Sequence, residues 1–192
     1  SVYYISQVNG TDNGGQPNPL DPCLSVSAGQ PVIFYSNPTA LAGDDASVCG
    51  NTWALSAGPQ PGQWLVLGNP AGENLLFADD QAANTMVTSS GPGLYSLSWM
   101  YTANGCTASD TLVLEFFDQP VIAGLTTACD ATNENYTVNF SVNGGTAPYL
   151  VNGNLLAGNT FFSAPLGSGS TYNFSVTDAN NCSATTSVTI NQ

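Results

Sequence analysis

The chain has no lysine, no arginine and no histidine, against 13 acidic residues in 192. An average globular chain is about a quarter charged, with roughly half of that basic. Without cations there is no basic patch for nucleic acid or for an anionic lipid surface. There is no Walker lysine, no Schiff-base amine, no arginine clamp, and no imidazole for acid–base or triad chemistry. A Ser or Thr nucleophile would lack its base, and a lysine–asparagine isopeptide staple lacks its amine. These absences argue against an enzyme. No apolar run approaches the ~18 residues of a membrane span, so no direct membrane insertion is expected. No segment reads as a signal peptide, and a start at Ser1 rather than Met points to a processed product or a segment of something longer.

What is present can build a core. Hydrophobic residues make up 42% of the chain, with 8 Tyr, 8 Phe and 3 Trp, unlike a disordered acidic tail. The apolar pattern has period two. Leu94–Tyr101, Thr111–Phe117, Tyr136–Val142, Thr171–Thr177 and Thr185–Ile190 read as short strands of β-branched and aromatic residues. Turn signals separate them, among them Asn104-Gly105, Asn143-Gly144-Gly145, Asn152-Gly153 and Asn180-Asn181. No helical stripe competes. The expected fold class is all-β: two tandem immunoglobulin-like β-sandwiches behind an N-terminal strand and connector.

An internal repeat is clearest at the cysteines. The stretches that follow Cys23, Cys106 and Cys182 each continue through small polar residues into an alternating strand. The first two run on to Ala42-Gly43 and Ala123-Gly124, each soon followed by another cysteine, Cys49 or Cys129. This repetition divides the chain into a connector over 1–38, which reads as the closing end of an incomplete unit, and two complete units over 39–118 and 119–192. Pairing Cys49 with Cys106 and Cys129 with Cys182 would close loops of 57 and 53 residues, each worth about 4 kcal/mol in a chain-entropy account. Such pairing implies an oxidising, extracellular setting. A thiolate metal cluster is disfavoured by the lack of CxxC spacing and of histidine. Cys23 is left over as a buried free thiol, a bridge to another chain, or a bridge to an upstream cysteine.

These residues also carry a family resemblance. Gly144–Gly153 (GGTAPYLVNG) followed by Thr171–Cys182 (TYNFSVTDANNC) resembles the SprB-type repeat of Bacteroidetes surface adhesins. Ala42–Trp64, Phe77–Val87 and Gly93–Phe116 resemble the PKD-like, immunoglobulin-like modules of the same surface proteins. The resemblance implies β-sandwich modules strung on secreted, cell-surface adhesins, sheaths or filaments. One departure from antibody domains is visible: Trp64 follows Cys49 as a core Trp should, but the tyrosine-corner site two before Cys106 holds Asn104.

Candidate chemistry lies in the acidic turns. Asp44-Asp45 and Asp79-Asp80 offer the oxygen ligands that Ca²⁺ takes, and a divalent ion would relieve repulsion between closely spaced acidic units. The competing reading is that Asp and Asn fill turns. A glycosidase pair is disfavoured, because adjacent acids on a strand point to opposite faces. Trp and Tyr rings could stack sugars, although Trp64 and Trp99 are expected in the core. Asp110-Thr111-Leu112 resembles the Bacteroidetes O-glycosylation motif, which marks Thr111. The strand-like start of the connector suggests donor-strand exchange, with residues 1–8 pairing on the next copy and Cys23 near that joint. The functional expectation is an extracellular structural protein, a subunit or repeat of a filament assembled head to tail from copies of itself and ion-stabilised. The alternative is an adhesin module that binds glycans or a host surface.

Overall fold

The structure is a computed structural model that describes residues 2–6, 8–9, 25–132 and 134–191. Cys23 and the middle of the connector therefore lie outside the described residues. The chain divides into two compact units, residues 1–38 with 103–107, and residues 39–102 with 108–192.

In the first unit, β1 (Val2–Ile5), β2 (Val8–Asn9), β3 (Ser25–Val26) and β4 (Gln30–Ile33) form two short antiparallel ribbons. β1 lies on β4, with Val2 opposite Ile33 and Ile5 opposite Gln30, and β2 lies on β3. Residues 2–5 already have a partner in their own chain, where pairing costs only the closure of an intervening loop.

The second unit holds both sandwiches, apart from Ala103, Cys106 and Thr107 at the ends of two strands, which belong to the first. The first is built from β5 (Ala46–Cys49), β6 (Thr52–Ser56), β7 (Gly62–Gly68), β8 (Leu75–Phe77), β9 (Asn84–Ser89), β10 (Gly93–Ala103) and β11 (Cys106–Phe117). One sheet has the order β5-β11-β10-β7 and the other β6-β9-β8. β5 runs parallel to the end of β11, with Ala46 opposite Leu114 and Cys49 opposite Phe117. Period-two alternation aims Tyr95, Leu97 and Trp99 of β10 and Leu112, Leu114 and Phe116 of β11 inward. They meet Leu55, Leu75 and Val87 of the facing sheet in one core, with Trp64 and Trp99 at 5.3 Å. The Trp99 indole N–H donates to the Pro59 carbonyl at 3.1 Å, so both rings are core, as expected.

The second sandwich comprises β12 (Val121–Cys129), β13 (Asn135–Asn143), β14 (Leu150–Val151), β15 (Asn154–Leu155), β16 (Thr160–Phe162), β17 (Leu166–Gly167), β18 (Ser170–Thr177) and β19 (Ser183–Ile190). β12-β13-β16 form one sheet, with β17 also on β13, and β15-β14-β18-β19 form the other. Val138, Phe140, Val142, Val151, Phe174, Val176 and Ile190 fill the space between them. Phe140, Phe161 and Phe174 meet pairwise at 4.8, 5.7 and 5.4 Å.

Each sandwich has a tyrosine corner, which fixes the strand equivalence between them. Tyr95, near the start of β10, donates its hydroxyl to the Gly91 carbonyl at 2.9 Å. Tyr172 of β18 donates to the Gly167 carbonyl at 3.1 Å. The corner is therefore at Tyr95, not at the site two before Cys106. Two residues on, where antibody domains place a disulfide cysteine, stand Leu97 and Phe174, both buried. Apolar packing replaces that bond.

Candidate functional site

The junction between the sandwiches is tightly built. Only Asp118, Gln119 and Pro120 separate β11 from β12. The Gly50 N–H donates to the Phe117 carbonyl at 2.9 Å, where β5 and β11 end side by side. Gly144 lies against Gln119, where an added Cβ would come within 2.9 Å of the Gln119 carbonyl oxygen. Gly145 abuts Pro120, with a Cβ position 3.0 Å from the proline nitrogen. Both glycines have positive φ, 65° and 64°, so the Asn143-Gly144-Gly145 turn demands glycine twice over. Asp178, only 3% exposed, accepts backbone N–H bonds from Thr146 at 2.9 Å, Asn180 at 2.9 Å and Cys182 at 2.8 Å. That carboxylate shapes the turn that presents Cys182.

Across this junction Cys49 is bonded to Cys182, with Cα atoms 5.4 Å apart and 133 residues between them in sequence. The pairings Cys49–Cys106 and Cys129–Cys182 are thus corrected; Cys106 and Cys129 are free and exposed. The reason is the length of the strands. Cys49 is in register with Phe117, whereas Cys106 opens the same twelve-residue strand, about 36 Å away at ~3.3 Å per residue. A disulfide needs Cα atoms within about 7 Å. Cys182 likewise sits at the Pro120 end of the second sandwich, and Cys129 closes β12 at the far end, about 26 Å along that strand. Closing so long a loop contributes up to about 5 kcal/mol in the chain-entropy account.

The acidic pairs lie in separate loops. Asp44-Asp45 precede β5, and Asp45 accepts the Val113 N–H at 2.7 Å. Asp79-Asp80 lie between β8 and β9, where Asp79 accepts the Gln81 N–H at 2.9 Å and Asp80 the Gln63 side-chain amide at 3.1 Å. Among the described residues no three His, Cys, Asp or Glu side chains converge as a metal group. Asp44 and Asp45 do share a cleft of about 530 Å³ with Trp53, a ring that is 39% exposed. Thr111 is exposed on β11, while its neighbour Asp110 accepts the Ala42 N–H at 2.8 Å.

The first unit carries an apolar surface of which the sequence pointed only to residues 1–8. Val2, Tyr3, Tyr4 and Ile5 of β1, Ile33 of β4, and the following Phe34 and Tyr35 are 52 to 71% exposed. Tyr3 and Phe34 meet edge to face at 5.3 Å. Among the described residues β1 and β4 form a two-stranded ribbon that exposes apolar side chains on both strands. The signal was in the sequence, as VYYI and VIFY without charge, but alternation alone does not tell an exposed apolar strand from a buried one.

The topology and the two tyrosine corners define the class: an all-β chain of tandem immunoglobulin-like sandwiches. No family model and no curated protein matches the chain. Among solved structures it is similar to the N-terminal eight Ig domains of Down Syndrome Cell Adhesion Molecule, at 13% identity and a TM-score of 0.49, over 98% of this chain and 35% of that one. It is also similar to a three-Ig titin fragment, at 12% identity and a TM-score of 0.32, over 79% of this chain and 63% of that one. Bovine butyrophilin is similar at 8% identity and a TM-score of 0.32, over 80% of this chain and 99% of that one. The chain thus spans 35% and 63% of the length of the first two.

Proposed function

We propose that this protein is an extracellular structural module, the subunit or repeat of a surface fibre whose copies follow one another head to tail. The observation that carries the reading is the exposed ribbon of β1 and β4. Apolar side chains exposed on a two-stranded sheet mark an association surface, and strand edges can accept further strands. The stapled junction supports it too, because a fibre under load needs consecutive modules that do not separate. A disulfide of this kind fits an oxidising, extracellular compartment. A chain without Lys or Arg also offers trypsin-like proteases no cleavage site, as a durable outer-surface material requires. The resemblance to Bacteroidetes surface modules points the same way. Calcium enters as an ion shared between copies, with Asp44-Asp45 or Asp79-Asp80 of one copy completed by oxygen ligands of the next.

The test is sedimentation velocity of the intact chain and of Tyr4→Asp with Phe34→Asp, each with Ca²⁺ and with EDTA. Concentration-dependent association of the parent chain, lost in the double variant, is the expected result. Loss in EDTA alone would place ions at the joint. A parent chain that stays monomeric throughout would defeat the reading.

A second reading has its own observation, the cleft where Trp53 meets Asp44 and Asp45. An exposed indole beside carboxylates is suited to stacking and hydrogen-bonding a sugar. A glycan-binding adhesin would show tryptophan fluorescence changes with a glycan panel, abolished in Trp53→Ala.

A further inference from the structure

Two exposed cysteines occupy positions that the chain elsewhere uses to join one sandwich to the next. Cys49 closes β5, the first strand of its sandwich, and Cys129 closes β12, the first strand of the second. Cys106 opens β11, the last strand of its sandwich, directly after Asn104-Gly105. Cys182 immediately precedes β19, the last strand of the second, directly after Asn180-Asn181. The turn asparagines Asn104 and Asn181 are both left-handed, with φ of 52° and 63°. The four cysteines are therefore two equivalent pairs, a first-strand cysteine and a last-strand cysteine in each sandwich.

The bond that forms links the first-strand cysteine of one sandwich to the last-strand cysteine of the sandwich that follows. Applied once more, the same step leaves Cys129 requiring a last-strand cysteine from a sandwich beyond it. It leaves Cys106 requiring a first-strand cysteine from a sandwich before it. Within a sandwich neither can be satisfied, because the two cysteines stand at opposite ends. Cys106 and Cys129 are exposed, as the bonded Cys49 is, so both are within reach of a partner, whereas Cys182 is buried.

We infer that Cys129 of one copy and Cys106 of the next form the covalent joint of a head-to-tail chain, repeating between copies the bond that Cys49 and Cys182 make within one. This rests on the head-to-tail reading above and supplies its chemistry. The joint is heterologous, so it propagates as an open chain and does not close as a symmetric pair. The oxidant is a disulfide compound. The Cys129 thiolate attacks one of its sulfurs and releases the first thiol, leaving a mixed disulfide. The Cys106 thiolate of the next copy then attacks the Cys129 sulfur and releases the second thiol. Two protein thiols are oxidised, one small disulfide is reduced to two thiols, and the two protons pass to the leaving thiolates.

The experiment is oxidation of the intact chain by oxidised glutathione, followed by non-reducing gel electrophoresis and peptide mapping with chymotrypsin, since trypsin has no site. The expected result is a ladder that reductant collapses, with Cys129 cross-linked to Cys106. Cys129→Ser and Cys106→Ser should each remain monomeric alone, and their mixture should give dimers and nothing larger. Both substitutions are at exposed residues and leave the Cys49–Cys182 bond intact, which circular dichroism and mapping verify. The inference is overturned by a ladder that survives either substitution, by dimers of Cys106→Ser alone, or by mapping that joins Cys106 to Cys23. Sedimentation of the Cys106→Ser/Cys129→Ser double variant separates the two claims. Association that persists there, with no ladder from the parent chain, removes the covalent joint and leaves head-to-tail assembly standing. Absence of association in every arm removes both.

Discussion

At the residue scale, the lack of any cation sends carboxylates to the backbone for their partners. Asp45 takes the Val113 N–H and Asp110 the Ala42 N–H, and together they stitch the segment before β5 to β11. Asp178 takes three such donors around the turn before Cys182. Asp130 does the same between β12 and β13. Its carboxylate accepts from the Asn135 side chain at 3.0 Å, from the Thr132 hydroxyl at 2.9 Å and from the Thr132 and Glu134 N–H groups at 3.1 Å. The Asn135 side-chain bond leads in holding its pKa at about 2, below the ordinary 3.8, and desolvation opposes it. A depressed carboxyl pKa favours the folded turn above the unfolded value and loses that contribution as pH falls through the folded one. A carboxyl NMR titration of Asp130 should therefore have its midpoint near 2. A midpoint at the ordinary value would mean that the cage does not hold in solution. This use was legible in part, as the reading that Asp and Asn fill turns, whereas the long-range bonds from Ala42 and Val113 leave no mark in the residue pattern.

At the scale of elements, the strands were legible because period-two burial writes itself into the sequence. Thr111–Phe117 and Tyr136–Val142 lie within β11 and β13, with their apolar residues alternately inward. The hairpin turns were legible for a local reason as well. Asn104-Gly105 and Asn152-Gly153 have positive φ at both residues, the conformation that Asn-Gly selects in a two-residue hairpin. What was not legible was which end of a strand meets which. Cysteine spacing gives loop length, but Cys49 and Cys106 stand at opposite ends of a shared register, and no spacing rule carries that. The Gly-Gly turn offers a test of the junction as built. Gly144→Ala brings a Cβ to 2.9 Å from the Gln119 carbonyl oxygen, whereas Gly153, with φ of 81°, has nothing within 4 Å of its Cβ position. Gly153→Ala should cost only the left-handed backbone penalty, about 1–2 kcal/mol. Gly144→Ala should cost that plus the clash, a further ~1–3 kcal/mol, read from urea denaturation midpoints. Equal losses would argue against the close approach of the turn to the linker.

At the scale of the whole molecule, the bond between Cys49 and Cys182 turns two sandwiches with separate cores into one compact unit. Each core is complete within its own strands, so the sandwiches have the means to unfold separately once the staple is gone. Cys49→Ser with Cys182→Ser should lower stability by about 2–5 kcal/mol and split a single calorimetric transition into two. An unchanged single transition would assign the coupling to the Asp118–Pro120 linker and its glycine contacts instead. The ribbon of β1 and β4 is a different kind of feature, since it exposes the side chains that a sandwich would bury. Its composition was plain in the sequence, but its exposure was not, because period two marks a strand and not what covers it.

If copies join end to end, electron microscopy of the intact, oxidised chain should show single-file rows of paired beads, lengthening with concentration and shortened by reductant. Dispersed two-bead particles at every concentration, with or without Ca²⁺, would contradict it.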